Sequence, residues 1–211
     1  MASWRPDALL PGFESLELGF PDDYDGAVVA TLVRLPAGDA PRGAVLYVHG
    51  YTDYFFQRHM AERFAMEGYA FHALDLRKYG RSLRAHQHPN FCKNVAEYYA
   101  DLSKAIAVIG APVLLAGHST GGLVCALYAH EGERCDQVSG LWLNSPFFDW
   151  RAPDWKRPQK SSSQARLKLD DHWSKKFSPT PNRLYEPLAV CNCGKKLPLA
   201  MPSCARAAMM R

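Results

Sequence analysis

The 211 residues amount to one domain and are enough to bury a substantial core. With 47% hydrophobic and 22% charged residues the composition is that of a globular protein, and no stretch approaches the roughly 20 consecutive apolar residues of a membrane span. The formal charge of +4 hides an asymmetry: residues 1–150 carry 12 Lys/Arg against 17 Asp/Glu, and residues 151–211 carry 13 against 4.

The start, Met1-Ala2-Ser3-Trp4-Arg5-Pro6-Asp7, has no apolar segment behind a basic one, so no signal peptide is read. Six cysteines without an export signal point to reduced thiols and a cytoplasmic location. Phe13 to Phe20 alternates apolar and polar residues and predicts a half-buried antiparallel strand; a turn over Pro21–Gly26 leads to a second strand over Ala27–Leu35. Ala44 to His49 is a continuous apolar run closed by Gly50, the pattern of a strand covered on both faces in a parallel sheet. Tyr54 to Glu67 has helical spacing, with Phe55, Met60, Phe64 and Ala65 near one face and Gly68 as its stop. Tyr69 to Asp75 predicts the next strand. Asn90 is the expected cap of a helix over Cys92–Ile109, followed by a strand at Pro112–Ala116, a helix at Thr120–His130 and a strand at Val138–Asn144. This alternation argues for a mostly parallel, doubly wound α/β sheet.

Leu114 to Gly122 places Gly117-His118-Ser119-Thr120-Gly121 at a strand-to-helix junction. A G-x-S-x-G run there sets the serine on a sharp, strained turn with its Oγ above the sheet, while small flanking residues let strand and helix approach. Ser119 is therefore the candidate nucleophile. An oxyanion hole at such a turn takes the N–H of the following residue, Thr120, and one from the loop after the third strand, where Tyr51 directly follows His49-Gly50. His49 reads as a loop-shaping residue. Asp75, with Gly80 and Ser82 beyond it, reads as structural support near the site.

Together His49-Gly50, Asp75 with Gly80 and Ser82, Gly117-His118-Ser119-Thr120-Gly121 and Asn144-Ser145-Pro146-Phe147 resemble the α/β-hydrolases of the monoacylglycerol lipase, lysophospholipase and S33-type serine aminopeptidase group. The resemblance covers residues 10–157. It implies a serine hydrolase acting on a small-molecule ester or lipid through an acyl-enzyme, without cofactor or metal. An aminopeptidase-like amide hydrolase and a non-catalytic hydrolase-fold remnant are the alternatives.

The fold's triad runs in the order Ser, acid, His, the last two on loops after later strands. Beyond Arg151 the periodicity fades, and residues 158–183 are rich in Ser, Lys, Arg and Pro. The 92 residues after Ser119 offer one histidine beyond residue 150, His172, with acids Asp154, Asp170, Asp171 and Glu186, and no strand–acid–strand–His succession is legible. Adjacent Asp171 and His172 are poorly disposed to pair from separate loops, so acid and base are not assigned. The expected organisation is a partial hydrolase core over 1–157 that lacks the last strands, and a basic, poorly structured tail over 158–211 of the kind an altered reading frame produces. Cys191, Cys193 and Cys204 lack the spacing of a structural zinc site. The basic run shows no aromatic interleaving, so no nucleic-acid partner is expected. Trp150 and Trp155 with Phe147-Phe148 could begin an apolar lid or form an ordinary core edge.

Overall fold

In a computed structural model, residues 3–38 and 40–147 of the chain are described. Among these residues seven strands form one sheet, in chain order β1 (Arg5–Pro6), β2 (Glu14–Gly19), β3 (Val29–Arg34), β4 (Gly43–Val48), β5 (Tyr69–Asp75), β6 (Val113–His118) and β7 (Val138–Asn144). Three α-helices connect the later strands: α1 (Arg58–Met66), α2 (Tyr99–Ile109) and α3 (Thr120–Glu131). The spatial order is β1-β2-β3-β5-β4-β6-β7. The first three strands and β5 pair antiparallel, while β5, β4, β6 and β7 are parallel. The expected mostly parallel, doubly wound sheet is therefore present.

Side chains alternate across each strand, and that period divides the core in two. Val45 and Tyr47 of β4, Phe71 and Ala73 of β5, and Trp142 of β7 pack with Ala61 and Phe64 of α1. Leu46, Val48, Leu74, Leu115 and Leu141 face the other way, onto Leu102 and Ile106 of α2 and Val124 and Tyr128 of α3. The α1 face is aromatic. Phe64 lies 5.8 Å from Phe71 and 6.1 Å from Trp142, and Phe55 sits 5.4 Å from Phe71.

Several boundaries differ from the sequence reading. The helix expected from Tyr54 begins at Arg58, because tertiary partners take both backbone groups of Phe55: its N–H donates to Asp75 and its carbonyl accepts from Arg81. The cap expected at Asn90 is instead Asn94. The Asn94 side chain accepts the Ala96 N–H, and Glu97 reaches back to the Asn94 N–H, so a 3₁₀ turn over Val95–Tyr98 leads into α2. Asn90 has a left-handed backbone (φ 57°) and donates its N–H to the Lys78 carbonyl. Strand β6 runs on to His118, which brings the strand's end directly against Ser119. The short edge strand β1 carries no legible sequence signal; Arg5 and Pro6 simply pair with Ser15 and Glu14.

Among the described residues no helix is long and apolar enough to cross a membrane. Residues 158–211 lie outside the described part, as do His172, the acids near it, and Trp150 and Trp155.

Candidate active site

The chain winds in opposite directions from the two central strands. From β4 it passes through α1 to β5 on one side; from β6 it passes through α3 to β7 on the other. Because α1 and α3 cover opposite faces, their connections leave a crevice outside the carboxyl ends of β4 and β6, the place where open α/β sheets bind ligands. The loops carrying Tyr51 and Ser119 begin there.

Ser119 has φ 51° and ψ −120°, a conformation that costs a non-glycine residue on the order of 1–3 kcal/mol. Backbone hydrogen bonds from both sides hold it. Its N–H donates to the Asn144 carbonyl at 3.1 Å, and its carbonyl accepts from Gly122 at 3.0 Å and from Phe147 at 2.9 Å. Bracing thus comes from the end of β7 as well as from α3. The glycines are sterically required. A Cβ on Gly117 would lie 2.6 Å from the Gly121 carbonyl oxygen, and one on Gly121 would lie 2.3 Å from the carbonyl oxygens of both Val48 and His49. A Cβ on Gly122 would meet Pro146 at 2.7 Å. Ser119 is the N-cap and Thr120 the first residue of α3, so the Thr120 N–H has no acceptor within the helix and lies at its positive end.

Gly50 brings the other loop to the same point. A Cβ built on it would stand 3.3 Å from the Ser119 Cβ. Tyr51 follows directly and is 61% exposed, and among the described residues no protein acceptor meets its N–H. The three residues singled out from sequence, Ser119, Thr120 and Tyr51, are thus gathered at one end of the sheet. His49 is buried beneath them. Its Nε2 accepts the Leu76 N–H at 3.1 Å and its Nδ1 lies 2.8 Å from the Gly50 carbonyl oxygen. Burial pushes its pKa below the ordinary histidine value, which keeps the ring neutral.

Asp75 is fully buried and holds the neighbouring loop together. It accepts the N–H groups of Phe55 (2.8 Å) and Arg81 (3.1 Å) and pairs with the Arg81 guanidinium at 2.9 Å. That guanidinium also grips Asp7, 74 residues earlier, at 2.7 Å. Two further clamps flank it. Arg77 pairs with buried Asp101, and Lys78, with no exposed side-chain surface, pairs with Asp23 and Asp25. None of these partners is legible in the sequence, since nothing in the local pattern of Asp7, Asp23 or Asp101 points to a distant cation. Asn144 and Phe147 were also missed as supports of Ser119, because they act through backbone atoms.

An antiparallel entry into a parallel sheet, a crossover reversal at its centre and a strained serine between strand and helix define an α/β-hydrolase fold. The family profile of serine aminopeptidase, S33 (Hydrolase_4) matches residues 39–185, well over half of the chain. The chain belongs to that family. It is 29% identical over 112 residues to a monoacylglycerol lipase of Mycolicibacterium smegmatis, an alignment covering 50% of this chain and 38% of that protein. It is 30% identical over 117 residues to a monoglyceride lipase of Saccharomyces cerevisiae, covering 50% of this chain and 36% of the relative. The aligned part thus spans little more than a third of the length of these curated relatives. A carboxyl esterase from Bacillus coagulans superposes with a TM-score of 0.50 at 24% identity, over 61% of this chain and 43% of that one, a likeness of fold.

Proposed function

We propose that Ser119 is the nucleophile of a serine hydrolase that cleaves carboxylic esters with an apolar acyl chain, as in monoacylglycerols or lysophospholipids. The observation that carries the reading is the strained Ser119 backbone, braced by Asn144 and Phe147 at the sheet's switch point. Ser119 Oγ attacks the ester carbonyl, and the N–H groups of Tyr51 and Thr120 receive the developing oxyanion. Collapse of the tetrahedral intermediate expels the alcohol and leaves an acyl-enzyme, which water then hydrolyses. The acid and histidine of such a reaction follow the nucleophile in chain order, on loops after later strands. Tyr51, Tyr54, Phe56 and Phe147, all exposed, supply apolar surface on the loops that follow β4 and β7. That surface suits an acyl chain, and the lipase names of both aligned relatives support the same substrate class.

The family's description as a serine aminopeptidase favours a second reading, hydrolysis of an aminoacyl amide at the same serine. Labelling with a fluorophosphonate tests the shared chemistry: the wild type is expected to label and Ser119→Ala not to. Turnover of p-nitrophenyl esters but not aminoacyl p-nitroanilides supports the ester reading, and the converse overturns it. Absence of both labelling and turnover identifies a non-catalytic remnant.

A further inference from the structure

The proposed oxyanion donor Tyr51 N–H shares a peptide unit with the Gly50 carbonyl. In a trans peptide the two point in opposite directions, so whatever fixes the carbonyl also fixes the N–H. His49 fixes it. The Leu76 N–H donates to Nε2, so that nitrogen carries no proton and the ring's single proton sits on Nδ1. A carbonyl can only accept, so the 2.8 Å contact is Nδ1–H donating to the Gly50 oxygen. The ring has little freedom to turn, being 1% exposed with Tyr79 packed 4.8 Å from its centroid.

We infer that His49 is a positioning residue: through Nδ1–H it holds the Gly50 carbonyl inward and thereby presets the Tyr51 N–H for the oxyanion. The inference rests on the reading of Tyr51 as an oxyanion donor. It gives the His49-Gly50-Tyr51 run a physical requirement at each place. The histidine supplies a donor on the buried side, and the glycine lets the loop close onto Ser119, where a Cβ would stand 3.3 Å from that residue's own. Tyr51 then contributes its backbone and not its exposed ring. Leu76, at the start of the loop after β5, sets the tautomer. A protonated ring would bring a second N–H against the Leu76 N–H, so the arrangement requires the neutral imidazole that burial favours.

The test separates the two ring nitrogens. His49→Asn keeps a donor near the Nδ1 position and loses the acceptor; His49→Gln keeps an acceptor near Nε2 and loses the donor. The expected result is a fall in kcat of about a hundredfold for His49→Gln with KM little changed, the size of effect seen when an oxyanion donor is removed. His49→Asn should recover most of that loss. Inhibition by a trifluoromethyl ketone, which forms an oxyanion on binding, should weaken in parallel. A purely packing role predicts comparable losses in both variants, and that outcome overturns the inference. Crystal structures of both variants give a readout independent of turnover: the Gly50–Tyr51 peptide should rotate in His49→Gln and stay in place in His49→Asn. If the wild type takes no fluorophosphonate the proposed function fails, while the peptide orientation still decides the role of His49. Should neither variant fold, the imidazole nitrogen shifts of the wild type decide, and a proton on Nε2 overturns the inference.

Discussion

Two loops leave the carboxyl edge of the sheet on either side of β4, and they are held by different physics. The turn after β6 is made of backbone: three glycines that admit no Cβ, a strained serine, and hydrogen bonds between main-chain groups. The loop after β5 is made of charge. Arg77, Lys78 and Arg81 have nearly or fully buried side chains, and each is gripped by at least one carboxylate that lies far away in the sequence. Backbone packing at the first loop leaves the Ser119 side chain without a structural task. Ion pairing at the second commits its side chains to anchoring.

The largest loss of stability should come from the charged loop. Asp101→Ala strands the Arg77 guanidinium in the interior and should destabilise the fold by about 3–5 kcal/mol in urea titration. At a temperature where the variant is still folded, its fluorophosphonate labelling should remain near that of the wild type. Next, Gly121→Ala forces a methyl group against two backbone carbonyls and should cost about 3 kcal/mol by the same titration. Here labelling should fall at least about a hundredfold even where the protein is folded, since Ser119 and the Tyr51 loop are both displaced. Equal behaviour of the two variants would erase the distinction.

A third effect is read by pH. His72 lies on β5 with its pKa pushed down to about 4, chiefly by burial and then by the nearby Arg34 charge. An unfolded histidine titrates near 6.5, so as pH falls between the two values the unfolded state takes up the proton and the folded state does not. Stability is thus fully present above about pH 6.5 and is lost as pH falls toward 4, by roughly 3 kcal/mol from this group. His49 adds to the loss in the same direction. Thermal melts of His72→Leu should show a flatter acid limb than the wild type. The smallest effect belongs to exposed charge: Glu67→Gln removes a helix-surface partner of Arg63 and should change stability by less than about 0.5 kcal/mol.

By itself the sequence determined the alternation of strands and helices, the two-sided burial of the central strands, and the identity of the serine turn. Those features are local. A period-2 run such as Phe13–Phe20, a continuous apolar run such as Ala44–Val48, or a glycine triplet around Ser119 states its own geometry within a few residues. The fold and the strained serine turn were legible for that reason, and Tyr51 and Thr120 were picked out as neighbours of two short motifs. Only the tertiary structure decided what fixes them in place. The start of α1 moved because Asp75 and Arg81 capture the Phe55 backbone. The cap of α2 moved because Lys78 ties down Asn90. His49 gained a defined tautomer because Leu76, 27 residues away, donates to it. Each of these depends on a partner brought close by folding. A distant carboxylate or N–H leaves no mark on the local pattern of the residue it will hold. The chain therefore shows in its sequence where Ser119 stands, and shows only in three dimensions what keeps it there.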